Sequence, residues 1–166
     1  AGVGVPGGGG RGGVGGGGRG GGVAAAGVAV GGGVTGDLAG FTAATWPRGI
    51  AVVQAPTTLL AMCDAALGGK TGVDHETGKN LIGAFHQPSA VLIDVETLST
   101  LDAAELGNGL GECVKHGAIR DESLLSFIEQ QADAILACDG EIMTEFVARN
   151  VAINAAVVSA DVLESG

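Results

Sequence analysis

Lysine is almost missing from this chain. Three occur among 166 residues, and with the arginines they make eight basic side chains against 18 acidic ones, a formal charge of −10. A surface that follows a phosphate backbone needs the opposite balance, so no nucleic-acid partner is expected. Cysteine is scarce too: Cys63, Cys113 and Cys138 stand alone, odd in number and without C-x-x-C spacing. That pattern speaks against disulfides and zinc knuckles and for a reducing compartment. No apolar run approaches the roughly 18 residues of a membrane span, and no basic segment leads into a signal-like apolar one. A soluble, cytoplasmic protein without membrane partners is expected.

Glycine, by contrast, is abundant, at 33 residues. Much of it lies in residues 1–22, "AGVGVPGGGGRGGVGGGGRGGG", which carry two arginines, no acid and no apolar periodicity. Such a segment buries too little surface to offset its backbone entropy and is expected to be disordered. An Arg/Gly nucleic-acid tail is its functional alternative, weakened by the lack of aromatic residues to stack on bases.

Over the whole chain, the 46% hydrophobic content is enough for a core. Three short apolar runs read as buried strands: "VAAAGVAV" (23–30), "IAVVQ" (50–54) and "AVLID" (90–94). Helical spacing lies between them, with Leu38, Phe41 and Thr45 in one segment and Leu59, Leu60, Cys63 and Leu67 in another. The alternation predicts an α/β fold, a Rossmann-like parallel sheet covered on both sides, over residues 23–100. After residue 100 the pattern is helical. Asp102 with Glu105 resembles a capping box opening a helix through Ile119, and "DESLLSFIEQQADAIL" and "EIMTEFVARNVAINAAVVSADVL" read as amphipathic helices. Residues 101–166 are therefore expected to begin an all-helical domain.

Four motifs bear on function. "GGGVTG" satisfies G-x-G-x-x-G with Gly31, Gly33 and Gly36 between a strand and a helix, as a pyrophosphate-binding turn requires. The acid expected about 20 positions on is absent, Gln54 lying near there, so a dinucleotide site of unusual type and a plain tight turn both remain open. "DAALGGKT" is one residue short of a phosphate-binding P-loop, with Asp64 in place of its first glycine. Paired with Lys70, that acid suits a site meeting both hydroxyls and an anion. In "GECVKHG", Glu112, Lys115 and His116 share one helical face, either as a metal-ligand carboxylate beside a substrate-binding cation or as an exposed ion pair. Gly107, Gly109 and Gly111, unfavourable inside a helix, suggest a close neighbour. His75 and His86 lie in loops without partners at ligand spacing.

Together "GGGVTGDLAGFTAATWPRG", "QAPTTLLAMCDAALGGKTGVDHETGKNLIGAFHQP", "TLSTL" and "GLGECVKHGAI" resemble the 3-dehydroquinate synthase family. The resemblance runs from about Val30 to Gly166 and leaves out residues 1–22. It implies NAD and a divalent metal, zinc or cobalt, as cofactors. The implied substrate is a seven-carbon sugar-acid phosphate, 3-deoxy-arabino-heptulosonate 7-phosphate, converted to 3-dehydroquinate in the shikimate pathway with loss of phosphate. By the same matching, Gly32, Gly33, Val34, Thr35, Gly36 and Asp37 line the pyrophosphate and ribose. Thr57, Thr58, Leu60 and Lys79 contact the cofactor, and Thr97, Leu98, Ser99 and Thr100 close over it. Lys70 and Asn80 hold the substrate phosphate or lie beside it, Lys70 being placed with the cofactor contacts as well. Arg48 reaches a phosphate across a homodimer interface. Asp64 and Lys115 meet substrate hydroxyls, and Glu112 is one of three metal ligands. The other two are family histidines that would follow "ADVLESG", which implies a piece of the enzyme, with the helical domain cut short and no activity alone. A related sedoheptulose-phosphate-type cyclase and a non-catalytic NAD-binding module are the alternatives.

Overall fold

The computed structural model describes residues 3–4 and 26–160, with the backbone alone at 3–4, 79–80 and 159–160. In chain order the elements are β1 (Val3–Gly4), β2 (Ala26–Gly31), α1 (Gly33–Thr45), β3 (Ala51–Pro56), a π-helical turn (Ala61–Ala65), β4 (Lys70–His75), β5 (Gly78–Phe85) and β6 (Ala90–Ile93). A 3₁₀ turn (Val95–Thr100) leads into α2 (Ala103–Arg120), α3 (Glu122–Gln130), α4 (Ala132–Leu136) and α5 (Gly140–Ala160). The main sheet has the order β1-β6-β3-β2, with β2, β3 and β6 parallel and β1 antiparallel on the edge. The α/β class, its three parallel strands and the helical run after them are as the sequence implies. The disorder expected of residues 1–22 otherwise lies outside the described residues.

Period-2 alternation decides which face of the sheet is covered. Ala29, Val52, Gln54, Val91 and Ile93 are buried, and α1 packs over β2 and β3. The opposite face is open among the described residues: Val28, Val30 and Leu92 are all more than half exposed. The expectation of a sheet covered on both sides is therefore corrected. No described helix lies over that second face, so β2 is half-buried where its composition reads as wholly buried. No helix of the described residues is long and apolar enough to cross a membrane.

Two further elements depart from the sequence reading. Residues 70–85, which gave no strand signal, form an antiparallel hairpin of β4 and β5. It packs against α1, whose buried Gly40 faces Thr71. The helix expected at 57–67 is short and widens into the π turn. Its phase brings Leu59, Met62 and Cys63 into the core and leaves Leu60 38% exposed, off the apolar face predicted for it.

The core joins this turn and β6 to the helices through Leu59, Met62, Leu98, Cys113, Leu124 and Phe146. Each such side chain contributes about 1.5–3 kcal/mol by burial. Asp102 caps α2, its Oδ1 accepting from the Glu105 N–H at 2.8 Å. The close neighbour anticipated from the α2 glycines is real at Gly109, where a Cβ would lie 2.7 Å from Leu59 Cβ and 2.8 Å from the Leu60 nitrogen. It is absent at Gly107 and Gly111, which face nothing within 4 Å among the described residues. Opposite signs follow for the same substitution. Gly109→Ala forces the helix off the π turn and costs about 1–3 kcal/mol, whereas Gly107→Ala stabilises by up to about 1 kcal/mol. Urea unfolding of both variants checks this, and equal shifts in one direction would contradict the packing.

Candidate functional site

The carboxyl ends of β2 and β3 lie side by side, Gly31 opposite Pro56, and the Thr57 N–H donates to the Gly31 carbonyl at 2.9 Å. Gly31 has φ +155°, and a Cβ there would meet Thr35 Oγ1 at 2.7 Å, so only glycine passes. The chain then enters α1 at Gly33 with no side-chain cap at Gly32 and no acid in the first turn. Uncapped first-turn N–H groups carry the positive end of the helix dipole and favour an anion. The donor set therefore fits the pyrophosphate of NAD. Gln54, at the position where a ribose-binding acid was sought, turns instead to donate from Nε2 to the Gly36 carbonyl at 3.1 Å. It ties the glycine turn to β3.

Below this turn a cavity of about 350 Å³ lies between α1 and the hairpin, lined by Asp37, Lys70, Thr71, Leu81 and Phe85 among others. Burial, and then the charges of Asp74 and Asp64, push the Asp37 carboxyl above the usual range. The cation Lys70 on its wall offers the opposite sign to an incoming anion.

A second cavity, of about 280 Å³, gathers Asp64 from the π turn, Glu112, Lys115 and His116 from α2, and Asn154 from α5. The close approach at Gly109 is what brings the π turn beside α2. Glu112 Oε1 accepts from Lys115 Nζ at 2.9 Å and lies 3.7 Å from His116 Nε2. The hydrogen bond to Glu112 and its charge push the Lys115 ammonium above its ordinary range, so it stays a cation and a donor at neutral pH. On its other side, His116 Nδ1 meets Asn150 Oδ1 at 3.2 Å, while Asn150 Nδ2 donates to the Phe146 carbonyl at 2.8 Å. The amide oxygen is thus the acceptor, and Nδ1 carries the imidazole proton.

Among the described residues no cluster of three His, Cys, Asp or Glu side chains gathers to hold a metal. Glu112, a carboxylate 23% exposed on the cavity wall, fits as a single ligand. The remaining sequence-expected contacts divide. Thr58 Oγ1 accepts the Ala61 N–H at 3.3 Å and so starts the π turn beside the glycines. In the 3₁₀ turn, the hydroxyls of Thr97, Ser99 and Thr100 donate to carbonyls three residues back. The Leu98 side chain is buried in the core, which leaves only its backbone for a ligand. Arg48 is exposed, with φ 70°, on the loop between α1 and β3, and lines neither cavity. The side chains of Lys79 and Asn80 lie outside the described residues. His75 bonds to Thr77 in the exposed hairpin turn, and His86 to the Ile50 carbonyl.

Residues 23–108 match the family described as 3-dehydroquinate synthase N-terminal, and residues 109–166 the one described as 3-dehydroquinate synthase C-terminal. A 3-dehydroquinate synthase of Symbiobacterium thermophilum is 57% identical over 134 residues, covering 81% of this chain and 37% of the relative. Among solved structures, a 2-epi-5-epi-valiolone synthase from Streptomyces hygroscopicus subsp. jinggangensis, with NAD⁺ and Zn²⁺ bound, superposes with TM-score 0.79 at 34% identity, over 83% of this chain and 39% of that one. A 2-deoxy-scyllo-inosose synthase complexed with carbaglucose-6-phosphate, NAD⁺ and Co²⁺ gives 0.76 at 33%, over 83% and 38%. The chain thus spans little more than a third of the length of these proteins.

Proposed function

From a chain that belongs to the 3-dehydroquinate synthase family, we propose that these residues form the cofactor turn and part of the reaction site of an enzyme converting 3-deoxy-arabino-heptulosonate 7-phosphate to 3-dehydroquinate and phosphate. The convergence of Asp64, Glu112 and Lys115 in one cavity carries this proposal. When bound, NAD supplies reversible hydride exchange and the divalent metal acidifies a hydroxyl.

The protein's own groups bind and orient. The α1 N-terminus at Gly32, Gly33, Val34, Thr35 and Gly36 receives the pyrophosphate, Asp37 accepts from a ribose hydroxyl, and Thr57 and Thr58 line the same edge. Glu112 holds the metal. Asp64 accepts from one substrate hydroxyl, and the Lys115 ammonium donates to another. Lys70 neutralises the phosphate that leaves. Arg48, on its exposed loop, serves a partner protomer in a cytoplasmic homodimer. The 57% identity to a 3-dehydroquinate synthase, against 33–34% to the valiolone and inosose cyclases, favours the first substrate over theirs.

The proposal makes NAD indispensable. In a protein of the relatives' length carrying this sequence, enzymatic removal of NAD stops phosphate release, and added NAD restores it. Release that continues without NAD would assign the elimination to a different chemistry.

A further inference from the structure

The buried polar side chains of the described residues are Gln54, Asn150 and Asn154. Burying an amide costs free energy unless its hydrogen bonds are made. Each of these makes its bonds behind a residue of the proposed site: Gln54 behind the glycine turn, Asn150 behind His116, and Asn154 behind Asp64. The third contact is the most direct. Asn154 Nδ2 donates to the Cys63 carbonyl at 2.9 Å and to Asp64 Oδ1 at 3.2 Å.

We infer that Asn154 is a positioning residue, which fixes the Asp64 carboxylate for its substrate hydroxyl from α5, 90 residues away in sequence. Asp64 itself is exposed on the cavity side of the π turn, where a short acidic side chain has several rotamers open to it. The Cys63 carbonyl belongs to a fully buried residue, so the first bond pins the amide to rigid main chain. The second hydrogen of the same nitrogen is then aimed at Oδ1, and Oδ2 is left to meet a ligand. A neutral amide holds the carboxylate without cancelling its charge, as an ammonium would. Asn150, one turn earlier on the same helix, backs His116 in the same way. One buried face of α5 thus backs both an acid and an imidazole of the cavity.

The inference rests on Asp64 meeting the substrate. Satisfying the Cys63 carbonyl is a purely structural alternative, and a double-mutant cycle separates the two. The probe is a phosphonate analogue of the substrate, which cannot eliminate phosphate, titrated calorimetrically into a protein of the relatives' length carrying this sequence. Asn154→Leu keeps the side-chain volume and removes the donor. It is expected to weaken analogue binding by at least about tenfold while leaving NAD affinity within about twofold. In an Asp64→Ala background the same change is expected to cost less than about twofold. Asn154→Gln, which keeps the donor, recovers part of the loss. Should the Leu variant not fold, Asn154→Ser is read in its place. A loss of the same size in both backgrounds, or none in either, overturns the positioning role. Asp64→Ala that leaves analogue binding intact overturns the reading of Asp64 instead.

Discussion

Replacing Glu112 with glutamine in a protein of the relatives' length is expected to lower turnover about a thousandfold, ~4 kcal/mol of transition-state stabilisation. The side chain keeps its shape, its place on α2 and one acceptor oxygen, but loses the charge that draws a divalent ion and pairs with Lys115. NAD affinity should be unchanged, because the glycine turn and α1 lie on the other side of the π turn. Metal content after dialysis should fall with the activity. The two readouts together separate ligand loss from damage to the fold. Full turnover with metal retained would show that Glu112 is only the partner of Lys115, the exposed ion pair that its spacing also allows.

Lys70→Ala is expected to have the next largest effect. A charge-assisted hydrogen bond to a phosphate contributes about 1.5–3 kcal/mol, so kcat/KM for the phosphorylated substrate should fall roughly 10–100-fold. The structure makes the direction of this experiment informative, since Lys70 shares its cavity with Asp37, a ribose candidate, and not with Glu112. Losses confined to the sugar phosphate assign Lys70 to that ligand. Equal losses for NAD and substrate would move it into the cofactor site.

Legibility in the sequence followed the range of the interactions concerned. Local signals were sufficient for α2. Its start is set by Asp102 accepting the Glu105 N–H, and its end at Arg120 lies one residue from the predicted Ile119. The glycine turn was equally plain, because strand, turn and helix are consecutive. The β4–β5 hairpin was not. Its turn is Glu76-Thr77 and lacks an Asn-Gly or Asp-Gly pair, and its placement depends on contact with α1 at Gly40. The single helix expected over "DESLLSFIEQQADAIL" divides at Gln131, with φ −111° and ψ 15°, into α3 and α4, although its composition stays helical throughout.

The site was legible in its charged residues and silent in its amides. Asp64, Glu112 and Lys115 stand in quotable motifs, and the structure gathers them. Asn150 and Asn154 sit in "RNVAIN", where an isolated amide on an amphipathic helix gives no hint of a partner. Their partners are 34 and 90 residues away and known only once α5 is packed against α2 and the π turn. The open sheet face was illegible for a related reason. Val28, Val30 and Leu92 are apolar, and only the arrangement of the helices reveals which side of the sheet they face.

The identity of the substrate is the point on which the proposed function stands. The direct measurement is a competition in one vessel among 3-deoxy-arabino-heptulosonate 7-phosphate, sedoheptulose 7-phosphate and glucose 6-phosphate. The catalyst is a protein of the relatives' length carrying this sequence, supplied with NAD and zinc or cobalt, and products are identified by NMR. The expected result is 3-dehydroquinate with an equivalent of phosphate, the other two sugars being recovered unchanged. A valiolone or inosose product in its place, or phosphate released without a carbocycle, would contradict it.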